Sequence, residues 1–171
     1  MAPITHAIGD ERAPIVIVEY GDLQCPYTAR ATVFVDDMLD RRRGEVRYEL
    51  RHFPLTQLHP HAWAAALATE AAGRQGKFWE MVALLLENQQ ALADDDLFSY
   101  AAALELDLAR FARDMASDEL EDKVEGDFIR GQTDGVESTP SFVVNGHLFD
   151  GDAADLDRFV EQVAPGAQPS P

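Results

Sequence analysis

Hydrophobic positions in the first third of the chain follow strand spacing, then helix spacing, then strand spacing again. Residues 15–20 form a short run of β-branched and aromatic side chains after Pro14, which predicts a buried strand. A helix is expected to begin at Pro26 and to end with three arginines before Gly44. Residues 46–52 alternate between largely apolar and charged side chains and predict a second strand. Because these elements follow one another within about 40 residues, we expect a β-α-β unit with parallel strands.

The stretch between Pro60 and about Gly135 has a wholly helical pattern. Apolar residues recur there at helical spacing in five stripes, which predict helices that pack on one another rather than a cofactor site. Asp94 and either Ser117 or Asp118 are expected to be N-caps of two of these helices.

Strand spacing returns after the helical stretch. Two short apolar runs, 141–145 and 147–149, meet at Asn145-Gly146, a pair that favours a tight hairpin turn. Asp152 is expected to cap a last helix, and residues 165–171, rich in Pro, Gly, Ser and Gln, are expected to form a frayed tail.

The single cysteine, Cys25, stands between the first predicted strand and Pro26. Proline suits the first position of a helix, so Cys25 is expected to be the N-cap. A sulfur at that position faces unpaired backbone N–H groups and the positive end of the helix dipole, which favour the thiolate. A lone cysteine is more often a small buried hydrophobic residue, but the order strand, turn, Cys-Pro, helix favours a functional thiol.

Composition and charge narrow the possible partners. The chain has 171 residues, 46% of them hydrophobic, enough for one domain or for a small domain with an insertion. With 14 basic and 31 acidic residues the net charge is −17, which argues against nucleic acid or an anionic membrane as a partner. More than half of the acidic excess lies between Asp94 and Asp127, which we interpret as a solvated helical face.

Compartment and cofactors follow from the absence of motifs. The first ten residues lack the basic and apolar regions of a secretory signal, and a single cysteine suits a reducing compartment. We therefore expect a cytoplasmic protein, or a periplasmic or secreted one if a leader was removed. No apolar run approaches the ~18 residues of a membrane span. His59 and His61 do not form a metal-binding pattern, and no nucleotide-binding motif is present, so no metal or cofactor is expected.

Three blocks of this sequence resemble the DsbA-like thioredoxin-fold oxidoreductases. Residues 18–27 are similar to the family's active-site segment, and residues 136–146 are similar to its cis-proline loop. The third block, residues 51–55, 59–62 and 75–81, is similar to the start of its inserted helical domain. The resemblance spans roughly residues 13 to 163. It implies an α/β thioredoxin fold (β-α-β … β-β-α) with an inserted all-helical domain, divided as 1–59 and 135–171 for the thioredoxin-like domain and 60–134 for the insertion.

One position departs from the family pattern. The family motif is Cys-Pro-x-Cys, whereas this chain has Cys-Pro-Tyr-Thr, with Thr28 in place of the second cysteine. Because no internal disulfide can form, the expected chemistry is that of a single thiol. Cys25 would attack a disulfide in a protein, a peptide or a glutathione adduct, and an outside thiol, with glutathione as a possible co-substrate, would resolve the product.

The candidate catalytic residues are Cys25, Thr28 and Glu19. Cys25 is the expected nucleophile. The Thr28 hydroxyl could hydrogen-bond to the thiolate, or the residue could simply be a β-branched member of the first helical turn. The resemblance implies that Glu19 assists proton transfer, and a buried carboxyl would hold a proton near neutral pH; the alternative is an exposed strand residue.

The candidate substrate-binding residues flank the thiol. They are Pro26, Tyr27, Thr139 and Pro140. Tyr27 either presents its ring near the sulfur or packs on the surface. The resemblance implies that the bond between Thr139 and Pro140 is cis and that Thr139 lies beside the Cys25 thiol. It also implies that the backbone of Thr139 is free to pair with an extended substrate.

Two other functions are compatible with this sequence. One is a thioredoxin-like peptide-binding or chaperone module that keeps the groove beside Thr139-Pro140 without redox turnover, and the missing second cysteine favours it. The other is suggested by the kappa-type glutathione transferases, relatives that use a hydroxyl residue to activate glutathione.

Overall fold

The computed structural model describes residues 4–166, in which the strands form one mixed five-stranded sheet. The strands are β1 (His6–Ile8), β2 (Ile15–Gly21), β3 (Val46–His52), β4 (Ser141–Val144) and β5 (His147–Phe149), and their order in the sheet is β1-β3-β2-β4-β5. β2 and β3 are parallel, as predicted for the β-α-β unit, and the other neighbours are antiparallel. Residues 167–171 of the predicted tail lie outside the described residues.

Seven α-helices surround this sheet within the described part of the chain. They are α1 (Pro26–Arg41), α2 (Ala62–Gly73), α3 (Phe78–Glu87), α4 (Asp94–Ala103), α5 (Leu108–Met115), α6 (Asp118–Thr133) and α7 (Leu156–Val163). α1 joins β2 to β3, α2 to α6 lie between β3 and β4, and α7 follows β5. The predicted thioredoxin fold with a helical segment between its halves is therefore confirmed, whereas the division into two domains stays a prediction.

The helix caps differ in detail from those predicted. Ala93, not Asp94, is the N-cap of α4, and the Asp96 side chain accepts a hydrogen bond from the Ala93 backbone N–H at 3.0 Å. Ser117 is the N-cap of α6. Asp152 caps a short 3₁₀ turn, Ala153–Asp155, that leads into α7. Three consecutive aspartates follow Ala93, and the sequence does not show which of them interacts with the helix start. In the structure the third, Asp96, accepts the hydrogen bond from the N-cap backbone.

Strand β1 has no counterpart in the predicted elements. It has only three residues and pairs antiparallel with β3, with His6 opposite Leu50. A run this short carries too little alternation to stand out, and β3 supplies the partner that makes it a strand. The His6 ring stacks on Phe78 at 3.5 Å between ring centroids, which ties this edge of the sheet to α3.

Alternation along β2 sends its side chains to two different cores. Ile15 and Ile17 enter the main core beneath α1, whereas Val18 and Tyr20 belong to a smaller cluster on the other face. The α6 backbone approaches this second face closely, because a Cβ on Gly131 would lie 2.6 Å from the Phe53 ring. The same alternation directs Glu19 towards the main core.

Candidate functional site

Cys25 lies at the junction of the β2 loop and α1. It is the N-cap of α1, with Pro26 at the start of the helix, as predicted. The residue is 4% exposed, and its Sγ donates a hydrogen bond to the Thr139 carbonyl oxygen at 3.5 Å. The Cys25 side chain makes no capping hydrogen bond to the first helical amides.

Thr139 and Pro140 lie beside this sulfur. The peptide bond between them is cis. β4 begins at the next residue and runs antiparallel to β2, with Ser141 opposite Tyr20. Because β2 ends just before the Cys25 loop and β4 starts just after Pro140, the antiparallel pairing brings both segments to the same edge of the sheet.

The hairpin after β4 fixes this pairing. Asn145 and Gly146 have φ values of 47° and 83°, the left-handed conformations of a two-residue hairpin turn. The Asn145 Oδ1 also accepts a hydrogen bond from the Val16 backbone N–H at 2.8 Å. One asparagine therefore closes the turn and anchors β4 to β2.

The two other motif residues point in opposite directions. Tyr27 is 69% exposed, so its ring does not pack against the body of the protein. Thr28 is 1% exposed, and its Oγ1 accepts a hydrogen bond from the Asp22 backbone N–H at 3.3 Å. Of the two roles considered for Thr28, the structure shows that of a buried residue in the first helical turn, and its hydroxyl closes the loop containing Cys25.

Glu19 is a buried carboxyl beneath the thiol loop. It is 2% exposed, and its Oε2 accepts a hydrogen bond from the Tyr48 hydroxyl at 2.6 Å. Burial raises the pKa of Glu19 to about 7; the Tyr48 hydrogen bond opposes this shift and the Asp36 charge adds to it. An added Cβ on Gly21 would lie 3.3 Å from Thr28 Cγ2 and 3.5 Å from Glu19 Oε1, so both side chains border the same glycine. The carboxyl is therefore close to the first turn of α1.

Asp22 organises the loop between β2 and Cys25. Its carboxylate, 1% exposed, accepts hydrogen bonds from the Gln24 backbone N–H at 2.8 Å and the Leu55 backbone N–H at 2.9 Å, and it lies 2.8 Å from His59 Nδ1. The position of Asp22 before the thiol does not reveal these contacts, because Leu55 and His59 lie more than 30 positions further along the chain. The pair Asp22–His59 explains this histidine without a metal.

Two glutamines complete the support of the loop. The Gln24 side-chain oxygen accepts a hydrogen bond from the His61 backbone N–H at 2.7 Å. The Gln89 amide donates to the Leu23 carbonyl at 3.0 Å and to the Cys25 carbonyl at 2.9 Å. The segments at the start of α2 and after α3 therefore hold the backbone of the thiol loop, and no sequence pattern singled out these residues.

A second buried polar cluster lies where α2 and α6 meet β3. The ligand-type atoms of His52, Glu70 and Asp127 lie within 4.8 Å of one another, the geometry of a possible metal site. However, the Lys123 ammonium lies 2.5 Å from Asp127 and 3.6 Å from Glu70 and already supplies a positive charge there. The donor set fits an internal ion-pair network better than a metal centre.

The site and the fold together define a thioredoxin-fold protein with one active-site-like cysteine. The family model described as thioredoxin matches residues 2–162, and the chain belongs to that family.

Solved structures share this architecture. A thioredoxin-like oxidoreductase from Silicibacter pomeroyi DSS-3 is 28% identical, with a TM-score of 0.83 over 92% of this chain and 91% of that chain. BdbD from Bacillus subtilis is 22% identical, with a TM-score of 0.77 over 92% and 90%. The thiol-disulfide exchange protein α-DsbA2 from Wolbachia pipientis is 17% identical, with a TM-score of 0.81 over 94% and 87%. The predicted resemblance to DsbA-like proteins is confirmed at the level of the fold.

More similar sequences occur within longer proteins. The Na(+)/H(+) antiporter NhaA 1 of Salinispora arenicola is 43% identical over 146 residues, which is 85% of this chain and 22% of that protein. The Na(+)/H(+) antiporter NhaA 1 of Mycobacterium sp. strain KMS is 39% identical over 160 residues, or 91% and 26%. The chain thus spans about a quarter of the length of these relatives, and the transport activity in their names is that of those whole proteins. Within residues 4–166, no helix is both long and apolar enough to cross a lipid bilayer.

Proposed function

We propose that this protein is a thiol-disulfide oxidoreductase that works through Cys25 alone. The observation that carries this proposal is the position of the only cysteine at the N-cap of α1, with its sulfur 3.5 Å from the carbonyl of the cis-proline loop. A thiol placed there can react with a chain that pairs along that loop. The thioredoxin-like oxidoreductase from Silicibacter pomeroyi, with which this chain shares its fold, supports the same class of reaction.

The proposed reaction needs two exchange steps. The Cys25 thiolate attacks the small-thiol sulfur of a protein or peptide mixed disulfide, a Cys25 mixed disulfide forms, and the substrate leaves as a thiolate that takes up a proton. A second small thiol then attacks the sulfur attached to Cys25, so that a small-molecule disulfide leaves and the Cys25 thiolate is restored. Overall, the bond to the substrate sulfur is replaced by a bond between the two small-thiol sulfurs: the second small thiol is oxidised while the substrate sulfur is reduced, and the proton lost by that thiol balances the one taken up by the substrate. Thiolate formation needs a proton acceptor, and Glu19, with its pKa raised by burial to about 7, is suited to that role near neutral pH.

Turnover of a glutathionylated peptide in the presence of glutathione tests the proposal. We expect the wild-type protein to release free peptide thiol and Cys25→Ser to show only the uncatalysed rate. The control is Ser99→Ala, which removes a hydroxyl on α4 that bonds only to the Asp95 carbonyl, and this variant should keep the wild-type rate. Equal rates for the wild type and Cys25→Ser would refute catalysis by this thiol.

A peptide-binding module without redox turnover is the second candidate. The small exposure of Cys25, at 4%, favours it, because a nucleophile must be reached by its substrate. Anisotropy of a labelled extended peptide separates the two functions: binding by both the wild type and Cys25→Ser, without turnover by either, would establish the module. The kappa-type alternative lacks comparable support, since the hydroxyl-bearing Thr28 is 1% exposed.

A further inference from the structure

We infer that the cavity beside Cys25 binds the resolving thiol, and that this thiol is a small zwitterion carrying both an ammonium and a carboxylate group, as glutathione and cysteine do. This inference rests on the proposed single-thiol function, which requires a thiol from outside the chain. It adds a ligand site and the chemical class of its ligand.

The cavity is bounded by three segments that converge on the thiol. It has a volume of about 330 Å³, and its walls include Tyr27 and Arg30 of α1, Thr139 and Pro140 of the cis-proline loop, and Asp152 before α7. The cavity is linked to the thiol through Thr139, which lines it and whose carbonyl oxygen is 3.5 Å from the Cys25 sulfur.

The cavity carries one unpaired charge of each sign. Within residues 4–166, Arg30 has no carboxylate within ion-pair distance, whereas Arg41, Arg42 and Arg43 on the same helix or just after it are all paired. Asp152 has no cationic partner in that range either, and one of its oxygens accepts the Ala154 backbone N–H at 2.9 Å. A ligand with a carboxylate for the guanidinium and an ammonium for the aspartate matches both charges.

A buried hydroxyl supplies an independent indication of a ligand. Thr139 is 7% exposed, and its Oγ1 is one of two buried side-chain oxygens without a hydrogen-bond partner in the described chain. An unsatisfied buried polar atom is unfavourable, so a partner is expected. A polar group of a ligand held between Arg30 and Asp152 can provide it.

Size and charge favour a small thiol over a protein thiol as the resolving partner. Cys25 is 4% exposed, so a small thiol reaches the sulfur attached to it more readily than a thiol on the surface of a folded protein does. With a chain charge of −17, a thiol whose carboxylates are not offset by an ammonium is repelled more strongly than one that carries both groups. In the reaction above, the bound molecule is the second small thiol, whose sulfur attacks the small-thiol sulfur attached to Cys25.

The first test measures binding without any turnover. The probe is S-methylglutathione, which carries the charged groups but cannot exchange. We expect calorimetric titration to detect it in the wild type and to show a Kd about tenfold higher in Arg30→Gln and Asp152→Asn, each of which loses one charge-assisted contact. Arg113→Gln is the matched control, because Arg113 is an exposed arginine of α5 outside the cavity, and its Kd should equal that of the wild type.

The second test measures selectivity during turnover of the glutathionylated peptide. The ratio of the KM for glutathione to the KM for 2-mercaptoethanol, which has no charged group, should rise about tenfold in Arg30→Gln and return towards the wild-type value in Arg30→Lys. An unchanged ratio, or a higher KM for the peptide instead of the thiol, would overturn the inference. Absence of turnover with every thiol, despite binding of S-methylglutathione, would refute the proposed function and leave the site standing.

Discussion

Two of the buried glutamates, Glu19 and Glu70, are almost equally shielded from solvent, yet their tendencies to hold a proton are opposite. Glu19 is 2% exposed and Glu70 is 1% exposed. Burial by itself raises the pKa of each carboxyl. The pKa of Glu19 is indeed raised to about 7, whereas the pKa of Glu70 is lowered well below its usual range.

The neighbours of each carboxyl explain the difference. Glu19 receives one hydrogen bond from the neutral Tyr48 hydroxyl. Glu70 lies 3.0 Å from His52 Nε2, 2.8 Å from His6 Nε2 and 3.6 Å from the Lys123 ammonium. These hydrogen bonds and positive charges overcome the effect of burial on the pKa of Glu70.

The contrast separates a carboxyl suited to chemistry from one suited to structure. A group that titrates near neutral pH can take up or release a proton there, and Glu19, with its pKa raised to about 7, is such a group. A group held ionised by neighbours from three elements joins those elements, as Glu70 of α2 does with β1, β3 and α6. The sequence marks both residues only as acidic positions in apolar surroundings.

Removing the charge of Glu70 should have the largest effect. Glu70→Gln removes the buried charge that bonds to His52 and His6 and lies near Lys123, and we expect the free energy of unfolding at pH 7 to fall by about 3–5 kcal/mol in urea titrations. Because the pKa of Glu70 is lowered on folding, its contribution is present above pH 4.5 and is lost as the pH falls, so the gap from the wild type should narrow in acid. Glu80→Gln on α3, an exposed glutamate paired with Lys77, is the control and should leave the urea midpoint unchanged. Equal midpoints for Glu70→Gln and the wild type would contradict the structural role.

The contribution of Glu19 to the free energy of unfolding should change with pH in the opposite direction to that of Glu70. The raised pKa of Glu19 means that its contribution is present below pH 4.5 and is lost as the pH rises to about 7. Relative to Glu19→Gln, the wild type should therefore lose about 3 kcal/mol of unfolding free energy between pH 4.5 and pH 7. Urea titrations of both proteins across that range measure the difference. If the free energy of unfolding depended on pH in the same way in both proteins, burial would impose no free-energy cost on the ionisation of Glu19.

Removing the hydroxyl of Tyr48 should have the smallest of these effects on stability. Tyr48→Phe leaves the Glu19 oxygen without its donor, and we expect a loss of about 1–2 kcal/mol in the free energy of unfolding. Because that hydrogen bond lowers the pKa of Glu19, the carboxyl should titrate at a higher pH in the variant, as followed by its ¹³C chemical shift. Tyr100→Phe, which removes a bond to the Ala91 carbonyl only, should leave the Glu19 titration as in the wild type. A lower titration pH in Tyr48→Phe would refute this account.

Local patterns were sufficient for the elements that frame the thiol. The bounds predicted for β3 and the start of α1 agree with the structure, and β2 extends one residue beyond its prediction, to Gly21. Period-two alternation and an N1 proline act within a few residues, so one sequence suffices to detect them. β1 was missed because its three residues become a strand only through pairing with β3.

The sequence by itself determined that one cysteine begins a helix after a buried strand, and that no second cysteine can pair with it. Tertiary structure decided what that sulfur meets: the Thr139 carbonyl rather than the helical amides, with Thr28 turned towards Asp22. It also decided the difference between Glu19 and Glu70. Each of these outcomes depends on partners brought close by the sheet and the inserted helices, and a carboxyl or a thiol responds to the charges and donors within a few ångströms, wherever in the chain they originate.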